Sequence, residues 1–516
     1  MPRHRPLPRG NLIVVDQRSA DILRRLTELT ADDAPTHGGR VLSYVYDSGL
    51  AELDELARAA AGSVQAINGL DPTAFPSVAR MEADVIEFAA GLVHGSAREQ
   101  PIVGLVTSGG TESCLLAVKS ARDRWRSRGS SGTPTIVAPV TVHAAFQKAA
   151  HYFGLDLDLV PVDRHGVVAV PDVVARLDDH TALVVVSAPC YPFAVLDPIV
   201  EIAAAAAARD IDCHVDACIG GWVLPFWTQL RADAVGEGTE VRNSLAPWDF
   251  RVRGVTSISL DAHKYGFAPK GASVLLFADR DAKRAASFAT TRWPGYPVVN
   301  PTMLGSRSAM SLAAAWAVIA YLGTDGFAAL TVRSREATLR LRECISGIPG
   351  LCVVGDPVGP LFAVASDSSV PQQDRVDPHV WADAVRALGW VLQPQPGLRQ
   401  SDGPDLPRTT HFTVTPVTGN EIDALTDALA TAADQVRGIP PVDLGELSGA
   451  LPQLAVDDGA DAATAGAILA DLGLGGDDAG PALPDQLAPV MALLDVVPHG
   501  RSESLLTELL ARLNER

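Results

Sequence analysis

The chain has 516 residues, 47% of them hydrophobic and 20% charged, a composition typical of a folded protein with a sizeable core. With 42 Lys and Arg against 61 Asp and Glu, its formal charge of −19 disfavours a protein that binds nucleic acid or anionic lipid. The six cysteines form no CxxC pair, so we expect reduced thiols. The apolar stretches at 199–208 and 312–322 are too short or too Ala-rich to span a bilayer, and the basic start lacks the apolar core of a secretory signal. We therefore expect a soluble cytoplasmic protein with no membrane span.

Four regions follow one another along the chain. Residues 1–95 are predicted to form an N-terminal helical segment, because apolar residues recur there at three- and four-residue spacings. Residues 96–325 alternate short β-rich runs with helical patterns, which is typical of a parallel sheet covered by helices. The predicted strands are 102–107, 135–138, 157–162, 182–187, 213–215, 255–260 and 273–277. The predicted helices of this region include 112–126, 144–153, 199–209 and 311–321.

The remaining chain is predicted to form a small domain and a tail. Residues 326–440 favour a compact α+β domain, with strands near 351–354, 361–364 and 411–414 and helices at 380–388 and 421–436. Residues 441–516 are acidic and rich in Ala, Gly and Pro, which favours a weakly ordered segment. Its end carries leucines at 505, 506, 509, 510 and 513, one apolar helical face that could contact the body or a partner.

The first candidate site is a glycine turn at 107–113, where a predicted strand leads into a helix. Such a turn directs free backbone N–H groups and the positive end of a helix dipole at one point, which suits a phosphate. The turn lacks the Gly-Lys-Ser/Thr of a Walker A loop and the GxGxxG of a dinucleotide site. By itself it is more typical of an ordinary strand-to-helix connection, with Thr111 or Ser108 as a cap.

The second candidate is Asp216 in the run Cys213 to Cys218. If this run is extended, His214 and Asp216 lie on one face and Cys213 on the other, so the ligands diverge and we predict no metal site. Asp216 instead falls at the carboxyl end of a strand, where open α/β sheets place ligand-binding groups.

Two further candidates are a lysine and a histidine. Lys264 follows the strand 255–260 in the order Asp261, Ala262, His263, Lys264, so it also lies at the carboxyl edge, where a desolvated lysine can act as a nucleophile. His143 begins a helical run. A phosphate-binding turn, an aromatic histidine, an aspartate and a lysine in this order are the groups that pyridoxal 5′-phosphate requires. The lysine bonds the cofactor, the aspartate keeps the pyridine nitrogen protonated, and the histidine stacks on the ring.

These residues resemble the fold-type-I pyridoxal-phosphate enzymes of the group II decarboxylase superfamily, and within it most closely the sphingosine-1-phosphate lyases. The resemblance covers about residues 35–440. Its matching stretches are VTSGGTES (106–113), APVTVHAAFQKAAHYFG (138–154), HVDACIGGW (214–222), DFRVRGVTSISLDAHKYGFAPKG (249–271) and GSR (305–307). The resemblance implies an α/β fold, with a large domain built on a mostly parallel seven-stranded sheet and a smaller α+β C-terminal domain.

The resemblance also implies roles for individual residues. Lys264 is similar to the cofactor-binding lysine, Asp216 to the partner of the pyridine nitrogen and His143 to the stacking histidine. The cofactor phosphate is implied to contact Gly110, Thr111 and His263, together with Gly305 and Ser306 of the other subunit of a homodimer with shared active sites. The substrate and its phosphate are implied to contact Tyr46, Asn68, Tyr191 and Lys270, and Tyr191 is a candidate for proton transfer beside Lys264.

Two positions depart from the lyase pattern. The lyases have Asn-Pro-Leu-His-Pro where this chain has Asn68-Gly69-Leu70-Asp71-Pro72, so a carboxylate, Asp71, replaces a histidine that helps to hold the substrate phosphate. An acid that faces a phosphate repels it. The family's Pro-His-Gly is Pro192-Phe193-Ala194 here, which removes a polar group near the site.

We therefore expect a pyridoxal-phosphate-dependent carbon–carbon lyase of sphingolipid metabolism. It would cleave a phosphorylated long-chain amino alcohol to an aldehyde and phosphoethanolamine. An amino-acid decarboxylase with the same cofactor is the alternative, because the substituent that leaves the substrate carbon depends on pocket residues that the sequence does not place. A non-catalytic scaffold has no need of Lys264, Asp216, His143 and His263 together.

Overall fold

The computed structural model describes residues 16–227, 245–442, 459–471 and 486–512. Residues 16–36 belong to a separate unit, which holds helix α1 (Gln17–Leu29). The carboxylate of Asp16 caps α1 by accepting a hydrogen bond from Ser19 N at 2.7 Å. This helix confirms the periodicity at its apolar residues Ile22, Leu23, Leu26 and Leu29, all of which are exposed. Residues 1–15 of the predicted N-terminal segment lie outside the described residues.

A seven-stranded sheet forms the centre of the second unit. Its strands are β1 (Val103–Thr107), β2 (Thr135–Pro139), β3 (Asp156–Val160), β4 (Thr181–Ser187), β5 (Asp212–Asp216), β6 (Val255–Leu260) and β7 (Ser273–Phe277). The spatial order is β1-β7-β6-β5-β4-β2-β3. Strand β7 is antiparallel to both neighbours and the other pairs are parallel, so the sheet is mostly parallel, as predicted.

The register of the central strands brings three polar residues to one edge. Ser187 at the end of β4 pairs with Asp216 at the end of β5, and Asp216 pairs with Ser259 in β6. All seven residues of β4 and all five of β5 are buried, as expected of central strands with both faces covered. The carboxyl ends of these strands therefore form the floor of any site at this edge.

Eight helices accompany the sheet in the described part of this region, and several of them pack directly on its strands. They are α2 (Ala51–Ser63), α3 (Pro76–Leu92), α4 (Gly110–Ser127), α5 (Ala145–Phe153), α6 (Val170–Val174), α7 (Ile199–Ala207), α8 (Leu224–Trp227) and α9 (Arg280–Ala286). A short hairpin of β8 (Phe288–Thr290) and β9 (Val298–Asn300) follows. Apolar residues of α4 and α5, among them Leu115 and Phe146, pack on sheet residues such as Val185, which holds the starts of these helices in place.

The helix predicted at 311–321 is much longer in the structure. Helix α10 (Met310–Ser346) spans 37 residues, with a non-helical backbone at Gly323 (φ 52°), where two helices meet at a kink. By length and composition α10 could cross a membrane, but half of its most apolar stretch is buried inside the protein, as in the core helices of other folds. Sequence periodicity missed the second half because Gly323 interrupts the pattern.

A smaller α+β region follows α10. Its four-stranded sheet has the order β10-β11-β13-β12, with β10 (Leu351–Val353), β11 (Leu361–Ser366), β12 (Gln393–Gln395) and β13 (Thr409–Thr413). Helices α11 (Pro378–Ala387) and α12 (Ile422–Val436) pack on it around Trp381 and Phe412. The predicted strands and helices of this region are confirmed, and β12 was missed because Pro394 interrupts its short run.

The prediction of a weakly ordered tail is wrong where the structure describes that tail. Helices α13 (Ala462–Asp471), α14 (Ala488–Val496) and α15 (His499–Arg512) form there, and Ile468, Leu493 and Leu505 share one apolar cluster. The acidic composition of this tail predicted weak order, but a small number of apolar residues is enough to pack these helices together. Of the predicted leucine face, Leu505 is buried, whereas Leu506 and Leu510 are exposed. Leu513 and the acidic stretches 443–458 and 472–485 lie outside the described residues.

Candidate active site

A cavity of about 420 Å³ opens at the carboxyl edge of the large sheet. The turns after β1, β2, β4, β5 and β6 supply its walls, because parallel strands bring their following loops to the same edge. Seven of the predicted site residues line it: Gly110, Thr111, His143, Tyr191, Asp216, His263 and Lys264. Sequence positions more than 150 residues apart thus meet around one space.

The glycine turn between β1 and α4 forms one end of this cavity. A side chain at Gly110 would place its Cβ 2.5 Å from Asp261 Oδ2, so the close approach of backbone and carboxylate requires glycine. Glu112 in the first turn of α4 accepts hydrogen bonds from Ser108 N and Met303 N, both at 2.6 Å. Sequence analysis gave Glu112 no role, although an acid at the third helical position is a known capping signal.

Lys264 is paired with a buried carboxylate. Its Nζ lies 2.9 Å from Asp261 Oδ2, and Asp261 also accepts a hydrogen bond from Ser273 Oγ at 2.5 Å. Burial would lower the pKa of Lys264, but the charge of Asp261 outweighs burial and raises that pKa well above its ordinary value. Lys264 without a covalent partner is therefore an ammonium held in place. Asp261 is a functional residue that sequence analysis named without assigning it a role.

Asp216 is a buried acid that remains ionised. Its Oδ1 accepts hydrogen bonds from Cys218 N at 3.0 Å and from Ser259 Oγ at 3.2 Å. Burial by itself would raise the pKa of Asp216, but the charge of His143, the hydrogen bond with Cys218 and the charge of Lys264 together lower it below its ordinary value. A carboxylate kept anionic in this position can hold a proton on a ring nitrogen.

The two histidines of the site differ in their surroundings. His143 is exposed at the cavity wall, and its Nδ1 accepts a hydrogen bond from Ala145 N at 3.1 Å, which orients the ring at the start of α5. His263 is half-buried, with Nδ1 3.0 Å from Ala272 O. Burial lowers the pKa of His263, so this ring is neutral near pH 7 and donates a hydrogen to the carbonyl.

Tyr191 lines the cavity and stacks on a histidine. Its ring stacks on His411 of β13, with centroids 4.3 Å apart. Burial lowers the pKa of His411 to about 3 and raises that of Tyr191. Both groups are therefore uncharged near pH 7. Sequence analysis did not identify His411 because its strand lies in the smaller region, far along the chain.

The other predicted site residues do not line this cavity. Asn68 donates from Nδ2 to Ser306 Oγ at 3.3 Å, and its Oδ1 accepts from Arg307 N, so the segments around 68 and 305 pair with each other. Gly305 lies in this second segment, where an added Cβ would lie 3.9 Å from Asn300 Nδ2. The predicted contacts of five residues with the substrate or the cofactor phosphate stay predictions: Tyr46, Asn68, Lys270, Gly305 and Ser306.

Tyr46 and Lys270 form a pair beside Lys264. Lys270 Nζ lies 5.0 Å from the centroid of the Tyr46 ring, in a cation–π contact. Burial raises the pKa of Tyr46, with the charge of Lys264 acting in the opposite direction. Tyr46 therefore stays a neutral phenol within electrostatic reach of Lys264.

Asp71 serves as a local cap. Its Oδ1 accepts hydrogen bonds from Thr73 Oγ1 at 2.6 Å and Thr73 N at 2.9 Å. These bonds lower the pKa of Asp71, so the exposed side chain is a carboxylate near pH 7. A substrate phosphate that approached it would be repelled.

Two thiols and Asp216 lie close together under the cavity. Cys114 Sγ, Cys218 Sγ and a carboxylate oxygen of Asp216 all lie within 4.8 Å of one another, a grouping that differs from the run 213–216 considered in the sequence. The hydrogen bond with Cys114, followed by burial, raises the pKa of Cys218 well above its ordinary value. Because this pKa describes the thiol without a metal, it does not test metal binding, and the absence of a metal site stays a prediction.

Comparison with known proteins identifies the family. The pyridoxal-dependent decarboxylase conserved domain matches residues 52–347, more than half of the chain. The chain belongs to this family.

A second family, described as the C-terminal putative HTH domain of pyridoxal-dependent enzymes, matches residues 445–512. The tail predicted as a weakly ordered acidic segment therefore matches a described domain. The cations in 441–516 are Arg501, Arg512 and Arg516, far fewer than its carboxylates, which disfavours contact with DNA.

The relatives of this chain include sphingosine-1-phosphate lyases. Sphingosine-1-phosphate lyase 1 of Rattus norvegicus is 35% identical over 400 residues, which cover 77% of this chain and 64% of the rat protein. The chain thus spans less than two thirds of the length of that relative. The solved structure of a Burkholderia pseudomallei sphingosine-1-phosphate lyase is 30% identical, with a TM-score of 0.73, and covers 88% of this chain and 96% of that one. A Lactobacillus brevis glutamate decarboxylase, 20% identical with a TM-score of 0.68 over 86% of this chain and 97% of that one, shows the same fold.

The cofactor of this decarboxylase-family chain is pyridoxal 5′-phosphate, and the cavity fits it. Lys264 supplies an amine for the aldehyde, and the anionic Asp216 suits a protonated pyridine nitrogen. The start of α4 supplies N–H groups for the phosphate, at a turn where Gly110 leaves no side chain in the way. The individual contacts of these residues with the cofactor remain predictions.

Proposed function

We propose that this protein is a carbon–carbon lyase that cleaves a phosphorylated long-chain amino alcohol to an aldehyde and phosphoethanolamine. The observation that carries the proposal is the match to the Burkholderia pseudomallei lyase, which extends over 96% of that chain, together with a cavity that holds lysine, aspartate and histidine. When bound, pyridoxal phosphate supplies an acceptor for the electron pair that the broken Cα–Cβ bond leaves behind.

The protein's own residues divide the remaining work. Asp216 would hold a proton on the cofactor's ring nitrogen, because its lowered pKa keeps this buried side chain a carboxylate. Asp261 holds Lys264 Nζ in the cavity, where the amine can carry a proton to or from the substrate. The Tyr191 phenol is neutral and rests on neutral His411, so it can donate a hydrogen bond to a substrate oxygen. Lys264 and Tyr191 both remain candidates for the proton of the β-hydroxyl.

Amino-acid decarboxylation remains the second candidate, and two departures from the lyase pattern favour it. Asp71 is a charged carboxylate where the lyases have a phosphate-binding histidine. Phe193 is 4% exposed and replaces a second histidine. Both changes leave fewer groups that could bind a substrate phosphate.

Product identification separates the two reactions. The holoenzyme is incubated with phosphorylated long-chain bases and, separately, with a panel of amino acids, and products are analysed by mass spectrometry. The proposal expects an aldehyde and phosphoethanolamine, whereas release of carbon dioxide from an amino acid would establish the decarboxylase.

Lys264→Ala is expected to lower turnover more than about 10²-fold, because it removes both the cofactor amine and a proton carrier. The matched control is Lys283→Ala on α9, which is outside the cavity and should retain wild-type turnover and melting temperature. Wild-type turnover in Lys264→Ala would refute the assignment of this lysine.

We further propose a homodimer with shared active sites, located in the cytoplasm. Six large apolar side chains in residues 288–304, the segment that precedes Gly305, support the dimer, each between 46% and 63% exposed: Phe288, Trp293, Tyr296, Val299, Met303 and Leu304. A patch of this kind is typical of an interface between protein chains. All six cysteines are free, which supports a reducing compartment. Cell fractionation with an antibody to the protein tests the location.

A further inference from the structure

A second cavity of about 690 Å³ adjoins the active site. Tyr191 lines both cavities, so the two spaces meet at this side chain. The second cavity is of the size of small-molecule sites, about 300–1,000 Å³. It therefore offers room for a part of the substrate that extends away from the reacting carbon.

The walls of the second cavity are largely apolar. Phe193 lines it, so the aromatic side chain that replaces the lyases' histidine adds apolar surface at this place. Leu398 and Leu406 line it from the smaller α+β region, where each backbone N–H bonds the other's carbonyl, at 3.1 and 2.8 Å. Leu494 of α14 and Leu506 of α15 complete the wall. No Lys or Arg is among its described lining residues, and Glu503 is, so the charges at this wall disfavour a phosphate.

Two carboxylates attach helix α14 to this wall. Asp383 of α11 caps α14 by accepting hydrogen bonds from Leu487 N at 2.9 Å and Ala488 N at 2.8 Å. Asp495 accepts a hydrogen bond from Gly397 N at 2.8 Å and forms an ion pair with Arg408. Helix α14 is thus a built part of the cavity, and α15 packs on it through the apolar cluster that Leu493 and Leu505 share.

We propose that this second cavity binds the hydrocarbon chain of the amine substrate and that α14 and α15 set the length of chain it accepts. The inference rests on the proposed function for the position of the substrate amine at Lys264. The apolar end of the substrate points past Tyr191 toward Leu506, and its phosphate stays outside the second cavity. Each methylene buried there tightens binding about fourfold.

The test measures binding without turnover. The holoenzyme is titrated by calorimetry with phosphorylated 2-amino-1-alkanols that differ only in chain length and lack the hydroxyl needed for cleavage. In the wild type, Kd is expected to fall about fourfold per methylene until the cavity is full and then to stay constant. Leu506→Trp fills the cavity and should weaken binding of long chains at least tenfold while short chains bind as before. Leu494→Trp, which enters the same cavity from α14, should have the same effect.

The matched control is Leu510→Trp, one turn further along α15, at a side chain that is 64% exposed and does not line the cavity. It should bind every chain as the wild type does. A Kd independent of chain length, or wild-type affinity in both cavity variants, overturns the inference. Length-dependent binding without aldehyde formation from long-chain bases refutes the proposed function and leaves the inference standing. Aldehyde formation with a Kd that does not depend on chain length supports the proposed function and overturns the inference about the second cavity.

Discussion

At the scale of single residues, the site depends on the contact between a glycine and a buried carboxylate. Asp261 Oδ2 lies where a Cβ at Gly110 would approach to 2.5 Å, and the same carboxylate holds Lys264 Nζ at 2.9 Å. The phosphate turn and the lysine are therefore coupled through one side chain. A substitution at Gly110 that moves Asp261 must therefore also move Lys264.

Gly110→Ala tests this coupling. The added methyl group would push Asp261 out of place, and overpacking of this kind costs about 1–3 kcal/mol. We expect the affinity for pyridoxal phosphate to fall about tenfold to a hundredfold, measured by absorbance titration of the cofactor-free protein. Gly91→Ala on α3, where a Cβ meets nothing within 4 Å, is the control and should bind the cofactor normally. Equal affinities in the two variants would contradict the coupling.

At the scale of elements, Arg307 joins three segments that are distant in sequence. Its guanidinium pairs with Glu82 of α3 at 2.9 Å and donates to Val106 O of β1 at 2.9 Å and to Gly69 O at 3.1 Å. The resemblance to the lyases included this arginine in a motif and gave it no role. The contacts show that it holds the segment around Gly305 against the sheet.

We expect Arg307→Ala to destabilise the fold by about 3 kcal/mol, because the largely buried carboxylate of Glu82 loses its ion-pair partner and keeps only the hydrogen bond from Val106 N. Thermal melting of the purified protein measures the loss. The control is Arg284→Ala, whose ion pair with Asp281 is exposed and should contribute less than about 1 kcal/mol. If the two variants melt together, the three contacts of Arg307 add no stability.

At the scale of the whole molecule, the proposed dimer places the hairpin of β8 and β9 and the segment that follows it at an interface. Tyr296 and Val299 are 63% and 62% exposed, and Gly305 and Ser306 follow nearby in sequence. In a dimer with shared sites, separating the chains removes Gly305 and Ser306 from the partner's phosphate site. Assembly and cofactor binding should therefore be lost together.

The double variant Tyr296→Asp and Val299→Asp is expected to be monomeric by light scattering, because two charges at the patch oppose its burial. It should also bind pyridoxal phosphate at least about tenfold more weakly by absorbance titration. Tyr321→Asp, at an exposed side chain of α10, is the control and should stay dimeric. A monomer with wild-type cofactor affinity would contradict the shared site, and a wild type that is itself monomeric would contradict the dimer.

What could be predicted from the sequence is the part whose signals are local. Lys264 and Asp216 each follow a β-rich run, and the carboxyl ends of parallel strands meet at one edge, so their proximity follows from sequence order. Gly110, Thr111 and His143 were found for the same reason, at strand-to-helix turns. The mostly parallel sheet followed from alternating runs, although no local signal showed that β7 inserts antiparallel between β1 and β6.

Only the tertiary structure decided which distant side chains touch. The approach of Asp261 to Gly110, the stacking of Tyr191 on His411 and the three contacts of Arg307 join segments whose separation along the chain carries no pattern. The sequence predicted that Leu506 belongs to an apolar helical face, but not that it lines the second cavity. Periodicity and turn chemistry act over a few residues, whereas packing selects partners by shape and charge after the chain has folded.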